Sequence, residues 1–253
     1  MDREDMEREG RRTPHVDAAG LATTLKGLKD LEHAGGLEAA LGQIVDGVVA
    51  VFGVTGAGLM FVDETETSRY VVSTDEPGRV LEVAQEQLGY GPCIDSLVHD
   101  RVVIVHDFTH DERWPGLADI VVPAGIGSVL GVPVRVGPVA VGSLNAYCEA
   151  PHQWDDSEVN ALCAFTRLVD GHLGEAVLNE HQGRLVEQLQ HALESRVVIE
   201  RAVGLVMGRH DLDAVTAFEH VRRLARSQRR RVAEVAAEMV GDTIPPQRPR
   251  PSA

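Results

Sequence analysis

The chain has 253 residues, of which 43% are hydrophobic and 25% charged, so it can bury cores and is not disordered as a whole. No apolar run reaches the roughly 18 residues that a membrane-spanning helix needs, and the opening MDREDMEREGRR lacks the apolar centre of a signal peptide. The length favours two domains, and we expect a cytoplasmic protein with no membrane partner.

The charge is distributed unevenly along the chain. The total is −15, but the segment from residue 181 to the end holds 12 Arg, no Lys and 9 acidic residues, a net +3, which leaves −18 for residues 1–180. Such a change of sign indicates two domains with different partners. The overall charge opposes nucleic-acid binding, whereas the Arg-rich segment favours it, because the planar guanidinium suits phosphates and base edges.

The sequence contains no recognisable catalytic or metal-binding motif. Cys93, Cys148 and Cys163 are an odd number of cysteines without a CxxC pair, which indicates neither a disulfide framework nor a zinc or iron–sulfur site. We find no Ser/His/Asp arrangement, phosphate-binding loop or pair of catalytic carboxylates. We therefore expect a protein that is not an enzyme and that holds no metal.

The first part of the chain has the pattern of an α+β domain. Residues 1–30 are predicted to be a flexible tail, because residues 1–20 are polar and rich in charge. Helical periodicity, β-branched runs and glycine-containing breaks then predict these elements in chain order: a helix over 31–52, a hairpin of strands over 56–64 and 68–76, a helix over 79–89, a strand over 101–107, a loop over 108–117, and strands over 128–136 and 139–150.

The second part is predicted to be all helical. A helix begins at Asp155 or Ser157 and continues without proline to about Met207. Its apolar positions alternate by three and four residues, which is typical of a coiled-coil dimer seam, although packing on its own domain is the alternative; these positions are Leu178, Leu185, Leu189, Ala192, Ile199, Val203 and Val206. Helices starting near residue 212 and over 230–240 complete a small bundle, and 242–253 form a disordered tail.

The Arg-rich bundle resembles a known RNA-binding domain. The motifs ALESR at 192–196, AVGLVM at 202–207 and EVA at 234–236 lie in a stretch of about fifty residues that is similar to the ANTAR domain of bacterial transcription antitermination regulators. The resemblance implies a three-helix domain that works as a homodimer. Each copy is expected to bind a short RNA hairpin, and the paired hairpins prevent an overlapping terminator from forming.

The resemblance and the residue types together suggest which side chains contact RNA. Arginines would hold the loop phosphates, while Ala202 and Gly204 would let the loop approach the helix closely, with tight helix packing as an equal alternative. The candidates are Arg196, Ala202, Gly204, Arg222, Arg223, Arg226, Arg229 and Arg230. The sequence departs from the family at Val203, where a Lys is usual, and at Arg229, where Asn is frequent.

The acidic part resembles a GAF domain of the kind that precedes ANTAR in actinobacterial regulators. The motifs LGYGPCIDSL, VVIVHDFTHDERWPGL and VAVGSLNAYCEAPHQWDDSEV carry the likeness. It implies an antiparallel sheet flanked by helices, with a ligand pocket on one face. We therefore predict a GAF sensor domain over 31–175 and a linker helix with the ANTAR domain over 176–241, coupled through the long helix.

The ligand of the GAF domain is left open, and no cofactor is assigned. Cys93, Trp114 and Asp111 are candidate pocket residues. The alternatives are a small buried cysteine, a tryptophan that anchors its loop, and an aspartate that caps and pairs within the loop. A haem would need an axial His, for which His106, His110 and His152 are candidates only by elimination.

Two other functions are consistent with the sequence. Free methionine sulfoxide reductases are GAF proteins that use cysteines, but the fusion to an RNA-binding bundle argues against a thiol enzyme. The chain could also be a constitutive RNA binder whose GAF domain serves only for dimerisation. Our main interpretation is a signal-responsive regulator that binds RNA hairpins in nascent transcripts.

Overall fold

The computed structural model describes residues 16, 18–29, 36–62, 68–178, 184–228 and 230–241. Arg229, the tail over 242–253 and most of the predicted N-terminal tail lie outside this part of the chain. The elements are α1 (Ala18–Lys29), α2 (Gly36–Phe52), β1 (Gly56–Val62), β2 (Ser68–Ser73), α3 (Glu76–Leu88), α4 (Pro92–His99), β3 (Val103–Val105), a short 3-10 helix (Phe108–His110), α5 (Leu117–Val121), β4 (Ser128–Val136), β5 (Val139–Cys148), α6 (Asp156–Leu178), α7 (Arg184–His210), α8 (Ala214–Gln228) and α9 (Val232–Val240).

The five strands form one antiparallel sheet in the order β2-β1-β5-β4-β3. Alternate residues of β5 face opposite sides of this sheet: Leu144 packs with α1, α2 and α6, whereas Tyr147 packs with α3, α4 and α5. The predicted α+β architecture, with an antiparallel sheet flanked by helices, is thus confirmed. No helix within the described ranges is long and apolar enough to cross a membrane.

Three helices lie where the sequence predicted none: α1, α4 and the five-residue α5, which begins at the end of the predicted loop. Helix α1 falls inside the predicted flexible tail, and its Leu28 is buried in the core beside α2. Helix α4 begins at Pro92, the first helical position, where proline is well tolerated, and buries Cys93 and Leu97. Eight residues following glycines carry too little periodicity to distinguish a short helix from a loop.

The C-terminal helices form the predicted three-helix bundle. The second half of α7 packs with α8 and α9 around a separate apolar core that includes Ala202, Phe218, Val221 and Ala236. Each helix gains its stability mainly from this shared burial, because short isolated helices are marginal in water.

Most of the predicted dimer seam is buried within a single chain. Leu185 and Leu189 belong to the core of the sheet domain, while Ile199, Val203 and Val206 belong to the core of the bundle. Among the seam positions whose side chains are described, only Leu178 is exposed to solvent, at 82%. The seam pattern therefore reflects packing of α7 on its own chain, the alternative that the sequence had left open. The predicted continuity of α6 and α7 involves residues 179–183, which lie outside the described ranges.

Tyr147 fixes the start of α3 against the sheet. Its hydroxyl donates to the Asp75 carboxylate and accepts from the Gly78 amide at 3.1 Å, and the ring is 1% exposed. Tyr147→Phe removes both hydrogen bonds of the buried hydroxyl and leaves the Gly78 amide only its bond to Asp75 Oδ1 at 3.0 Å, so we expect the free energy of unfolding to fall by about 1–3 kcal/mol. Denaturant unfolding measures the loss. Tyr90→Phe, which removes an exposed hydroxyl bonded to the Pro115 carbonyl, is the matched control, and an equal loss there would contradict the assignment.

Candidate functional site

A cluster of buried polar side chains lies between the sheet and α3 and α4. Its members are between 0% and 2% exposed and are Glu82, Gln85, Cys93, Ser143 and Asn145. The Asn145 amide donates to Glu82 Oε1 at 3.1 Å and the Cys93 thiol donates to the same oxygen at 3.6 Å. We call this set the buried polar cluster. It lies on the side of the sheet that α3, α4 and α5 cover.

Gln85 connects the two helices of the cluster. Its Oε1 accepts from the Cys93 amide at 2.8 Å, and its Nε2 donates to Cys93 Sγ at 2.9 Å. Gly91 makes room for this arrangement, because a Cβ at that position would lie 2.3 Å from the Gln85 side chain. The turn between α3 and α4, residues 89–91, is therefore held directly by the cluster.

Burial changes the acid–base properties of the cluster. Burial raises the pKa of Glu82 to about 8, although hydrogen bonds from Cys93 and Asn145 oppose the shift. Burial also raises the pKa of the Cys93 thiol well above its usual range, and the neighbouring Glu82 charge adds to this. At neutral pH both groups are therefore protonated, so Cys93 does not present the thiolate that nucleophilic or redox chemistry requires.

Native-state thiol labelling should follow these differences in environment. Cys93 is fully buried, whereas Cys163 is partly exposed and carries a smaller increase in pKa from burial. We expect iodoacetamide to label Cys163 first and to leave Cys93 unmodified until the protein unfolds. Mass spectrometry of tryptic peptides, with denatured protein as the control that labels all three cysteines, measures the order. Rapid native labelling of Cys93 would contradict the buried thiol described above.

The other predicted pocket residues stabilise a loop. Trp114 is 4% exposed, its Nε1 donates to Asp95 Oδ2 at 3.0 Å, and the Arg113 guanidinium lies 4.3 Å from its ring centre. Asp111 pairs with Arg113, and hydrogen bonds from Arg113 lower the pKa of that carboxyl. Trp114 thus shares the apolar core around Cys93, while Asp111 has the loop contacts that were its alternative role.

The three candidate haem ligands have protein partners. His106 Nδ1 lies 3.1 Å from the His152 carbonyl, His152 Nε2 lies 2.8 Å from Glu158 Oε1, and His110 Nδ1 lies 2.7 Å from Asp107 Oδ2. Within the described ranges no group of three or more His, Cys, Asp or Glu side chains is arranged to hold a metal ion. The histidines therefore have structural contacts here.

Only some of the predicted RNA-binding residues are exposed on the bundle. Gly204, Arg223 and Arg230 are exposed, and a Cβ on Gly204 would meet nothing within 4 Å. Arg230 pairs with Glu238 at 2.5 Å across the bundle surface. The backbone of Arg226 belongs to α8, but its side chain is not among the parts that the structure describes. The same is true of the whole of Arg229.

Three of the predicted RNA-binding residues are turned inward. Ala202 is 0% exposed in the bundle core, which matches its alternative role in helix packing. Arg222 is 4% exposed, and its Nη2 donates to the Gly89 carbonyl of the turn after α3. Arg196 Nη2 donates to the Val98 carbonyl of α4 at 3.2 Å and pairs with Glu200 at 2.8 Å. The structure therefore brings two predicted RNA contacts against the sheet domain.

The exposed face of α7 contains two arginines that the sequence did not single out. Arg201 and Arg209 are exposed on the same helix as Gly204. Residues three apart on a helix are neighbours, so Arg201 lies beside Gly204. This spacing is visible in the sequence, but two separate arginines on a helix are a weaker signal than the arginine-rich stretch over 222–231.

The comparisons with known proteins agree with the two-part architecture. The family model of the GAF domain matches residues 36–173, and that of the ANTAR domain matches residues 187–240. The chain is a GAF–ANTAR protein. This domain order is that of antitermination regulators, in which the ANTAR domain binds RNA and the GAF domain is sensory. A search of curated proteins found no match for the GAF–ANTAR chain.

Solved structures show the GAF fold in proteins of several kinds. The GAF domain of a phosphoenolpyruvate-protein phosphotransferase from Coxiella burnetii has 13% identity and a TM-score of 0.51, covering 66% of this chain and 99% of its own. The reduced form of fRMsr from Staphylococcus aureus has 14% identity and a TM-score of 0.50, covering 64% and 99%. At these identities the likeness concerns the fold alone.

Proposed function

We propose that this GAF–ANTAR protein binds paired RNA hairpins in nascent transcripts in the cytoplasm and prevents transcription termination there. The observation that carries the proposal is the ANTAR match over residues 187–240, which falls on a complete three-helix bundle. Arg223 and Arg230 are exposed on that bundle, where Arg230 also pairs with Glu234 and Glu238. Hairpin loops expose base edges that an A-form stem hides, so they are the part of the RNA that such a surface can read.

Exposure favours a contact surface formed by one face of α7 together with α8 and the start of α9. Gly204 offers open space for close approach of a loop, and exposed arginines of the bundle can hold phosphates. The described residues of this proposed surface are Arg201, Gly204, Arg223 and Arg230, and the sequence adds Arg226 and Arg229. Homodimer formation remains part of the proposal because two hairpins require two bundles, and it draws support from the family rather than from the seam of α7.

The GAF domain, over the proposed range 31–175, receives a small-molecule signal in this scheme. The buried polar cluster supports this role, because hydrogen-bonding groups inside an otherwise apolar core can exchange partners with a ligand. The protonated, fully buried Cys93 supports a regulator over the thiol enzyme that the sequence also allowed. A constitutive RNA binder remains the second candidate, and it predicts RNA affinity that no state of the GAF domain changes.

RNA binding by the full chain tests the proposal. We expect tighter binding to an RNA with two adjacent hairpins than to the same RNA with both loops replaced. We also expect the affinity to fall as salt increases, with a slope of about 0.7–0.9 per phosphate contact. Fluorescence anisotropy across a salt series measures both. Equal affinity for the two RNAs would exclude loop recognition, and the function itself would be excluded if neither the wild type nor a variant with undocked domains bound either RNA.

A further inference from the structure

The bundle is docked on the GAF domain through two arginines and one valine. Arg222 and Arg196 donate to the backbone carbonyls of Gly89 and Val98, at the two ends of the segment that contains α4. The Val98 side chain lies between the two domains and packs against the apolar core of the bundle as well as that of the GAF domain. These contacts join the sensor domain and the RNA-binding domain within one chain, and we call them the docking contact.

The docking contact removes these arginines from solvent. The Arg222 side chain is 5% exposed and the Arg196 side chain 15% exposed, and Arg196 also lies 5.7 Å from the Phe218 ring centre. An arginine whose donors are directed to a protein carbonyl cannot direct the same donors to a phosphate. A hydrogen bond from a charged donor is stronger than one between neutral groups, and protection from water increases its contribution.

The interface is nevertheless incompletely packed. A cavity of about 400 Å³ separates the two domains beside the docking contact. Its walls come from the end of α4 and the turn into β5 on one side and from α7 and α8 on the other. Relative motion of two domains is expected unless their interface is large and hydrophobic, and this cavity reduces the apolar contact between them. The contact is thus suited to be reversible.

We infer that the docking contact is autoinhibitory: it withholds Arg196 and Arg222 of the ANTAR bundle from RNA, and the GAF domain controls their release. This inference rests on the proposed function and adds two residues to the exposed surface proposed above. The acceptor Gly89 ends α3, which carries Glu82 and Gln85, and Gln85 binds the first turn of α4. A ligand that rearranges the buried polar cluster therefore moves the carbonyls on which Arg222 and Arg196 dock.

The test weakens docking from the GAF side and leaves every candidate RNA-binding residue intact. Val98→Asp places a charge against the apolar core of the bundle, so we expect the full chain to become more extended in small-angle X-ray scattering. If docking competes with RNA, the affinity for the two-hairpin RNA should increase roughly three- to tenfold, in proportion to the docked fraction that is released. Val98→Ala, a milder truncation that suits a helix, should change both quantities in the same direction.

Matched controls make each outcome informative. Ile120→Asp adds the same charge at an apolar residue of the GAF surface, 38% exposed on α5, and should leave shape and affinity at wild-type values. An extended Val98→Asp protein with wild-type RNA affinity would overturn autoinhibition while leaving the proposed function intact. A compact Val98→Asp protein with wild-type affinity would overturn the docking contact itself. Absence of RNA binding by every variant, including an extended one, would instead overturn the proposed function.

Discussion

Glu82→Gln is expected to stabilise the protein at high pH by roughly 2–4 kcal/mol and to change it little at low pH. The carboxyl of Glu82 is fully buried, and its pKa is raised to about 8 from an ordinary value of 4.5. The folded state therefore binds a proton that the unfolded state releases between these two values. The free energy of unfolding falls as pH rises through this window, by at most about 1.4 kcal/mol per unit.

The direction of this pH dependence follows from the raised pKa of Glu82. Stability contributed by neutral Glu82 is fully present below the unfolded pKa of 4.5 and is lost as pH rises through the folded pKa of about 8. A glutamine is neutral at every pH and retains an oxygen that can accept from Asn145, so the variant avoids the loss. Relaxation of the buried site and entry of water reduce the effect below the limit set by the full shift.

Denaturant unfolding at about pH 5 and pH 9 measures the difference. Glu86→Gln, on the same helix but only partly buried, controls for the substitution itself and should change stability little at either pH. A Glu82→Gln protein whose stability changes with pH just as the wild type does would show that Glu82 is not the buried acid described here. A loss of stability at both pH values would indicate that the carboxyl is needed for its hydrogen bonds rather than tolerated despite its burial.

Removing two exposed arginines of the bundle should have the largest effect on RNA binding. Arg223→Ala and Arg230→Ala together delete two charges of the proposed surface without touching the docking contact. We expect the affinity for the two-hairpin RNA to fall roughly tenfold to a hundredfold and the salt slope to decrease by about 1–2. The loop-replaced RNA should lose affinity to a similar degree, because phosphate contacts are independent of sequence.

A second double variant separates this local effect from the change in net charge. Arg79 and Arg167 are exposed on the GAF domain, and replacing both with alanine changes the total charge by the same amount. This control should retain wild-type affinity and salt slope in the anisotropy measurement. If it weakens binding as much as the bundle variant does, the interaction is a general charge effect and the proposed surface is misplaced.

Local patterns in the sequence were sufficient for the strands and the bundle. β-Branched runs such as 101–107 and paired runs such as 128–136 and 139–150 identify strands, because alternating faces and short turns leave a clear pattern over a few residues. The antiparallel sheet and the three-helix bundle were thus predictable. Helix α4 and helix α1 were missed because α4 is short and α1 follows a charged stretch that resembles a tail.

Contacts between distant parts of the chain were not predictable from such patterns. The apolar steps of α7 suit both a dimer seam and packing on its own chain, and only the structure shows Leu189 and Val203 in two different cores of the same chain. Arg222 lies beside the apolar face of α8, so its long side chain can point to solvent or cover a neighbour. Its partner Gly89 is 133 residues away in the chain.

The buried polar cluster likewise depends on contacts between distant parts of the chain, which sequence patterns do not predict. Glu82, Gln85 and Cys93 come from consecutive helices, but Asn145 is contributed by a strand 63 residues from Glu82. The sequence identified Cys93 as a candidate because of the motif around it, whereas nothing marked Glu82, which in sequence resembles any charged helical residue. Sequence periodicity predicts which face of an element is buried, but not which polar groups meet there.

Transcription readthrough in a purified system tests the central claim most directly. The template carries a leader whose two adjacent hairpins overlap a terminator, and RNA polymerase transcribes it with and without the GAF–ANTAR protein. We expect the protein to increase the fraction of full-length transcript on this template and to have no effect when both hairpin loops are replaced. An unchanged fraction on the intact leader, with the Val98→Asp variant as well as with the wild type, would contradict the proposal that this protein prevents termination by binding hairpins.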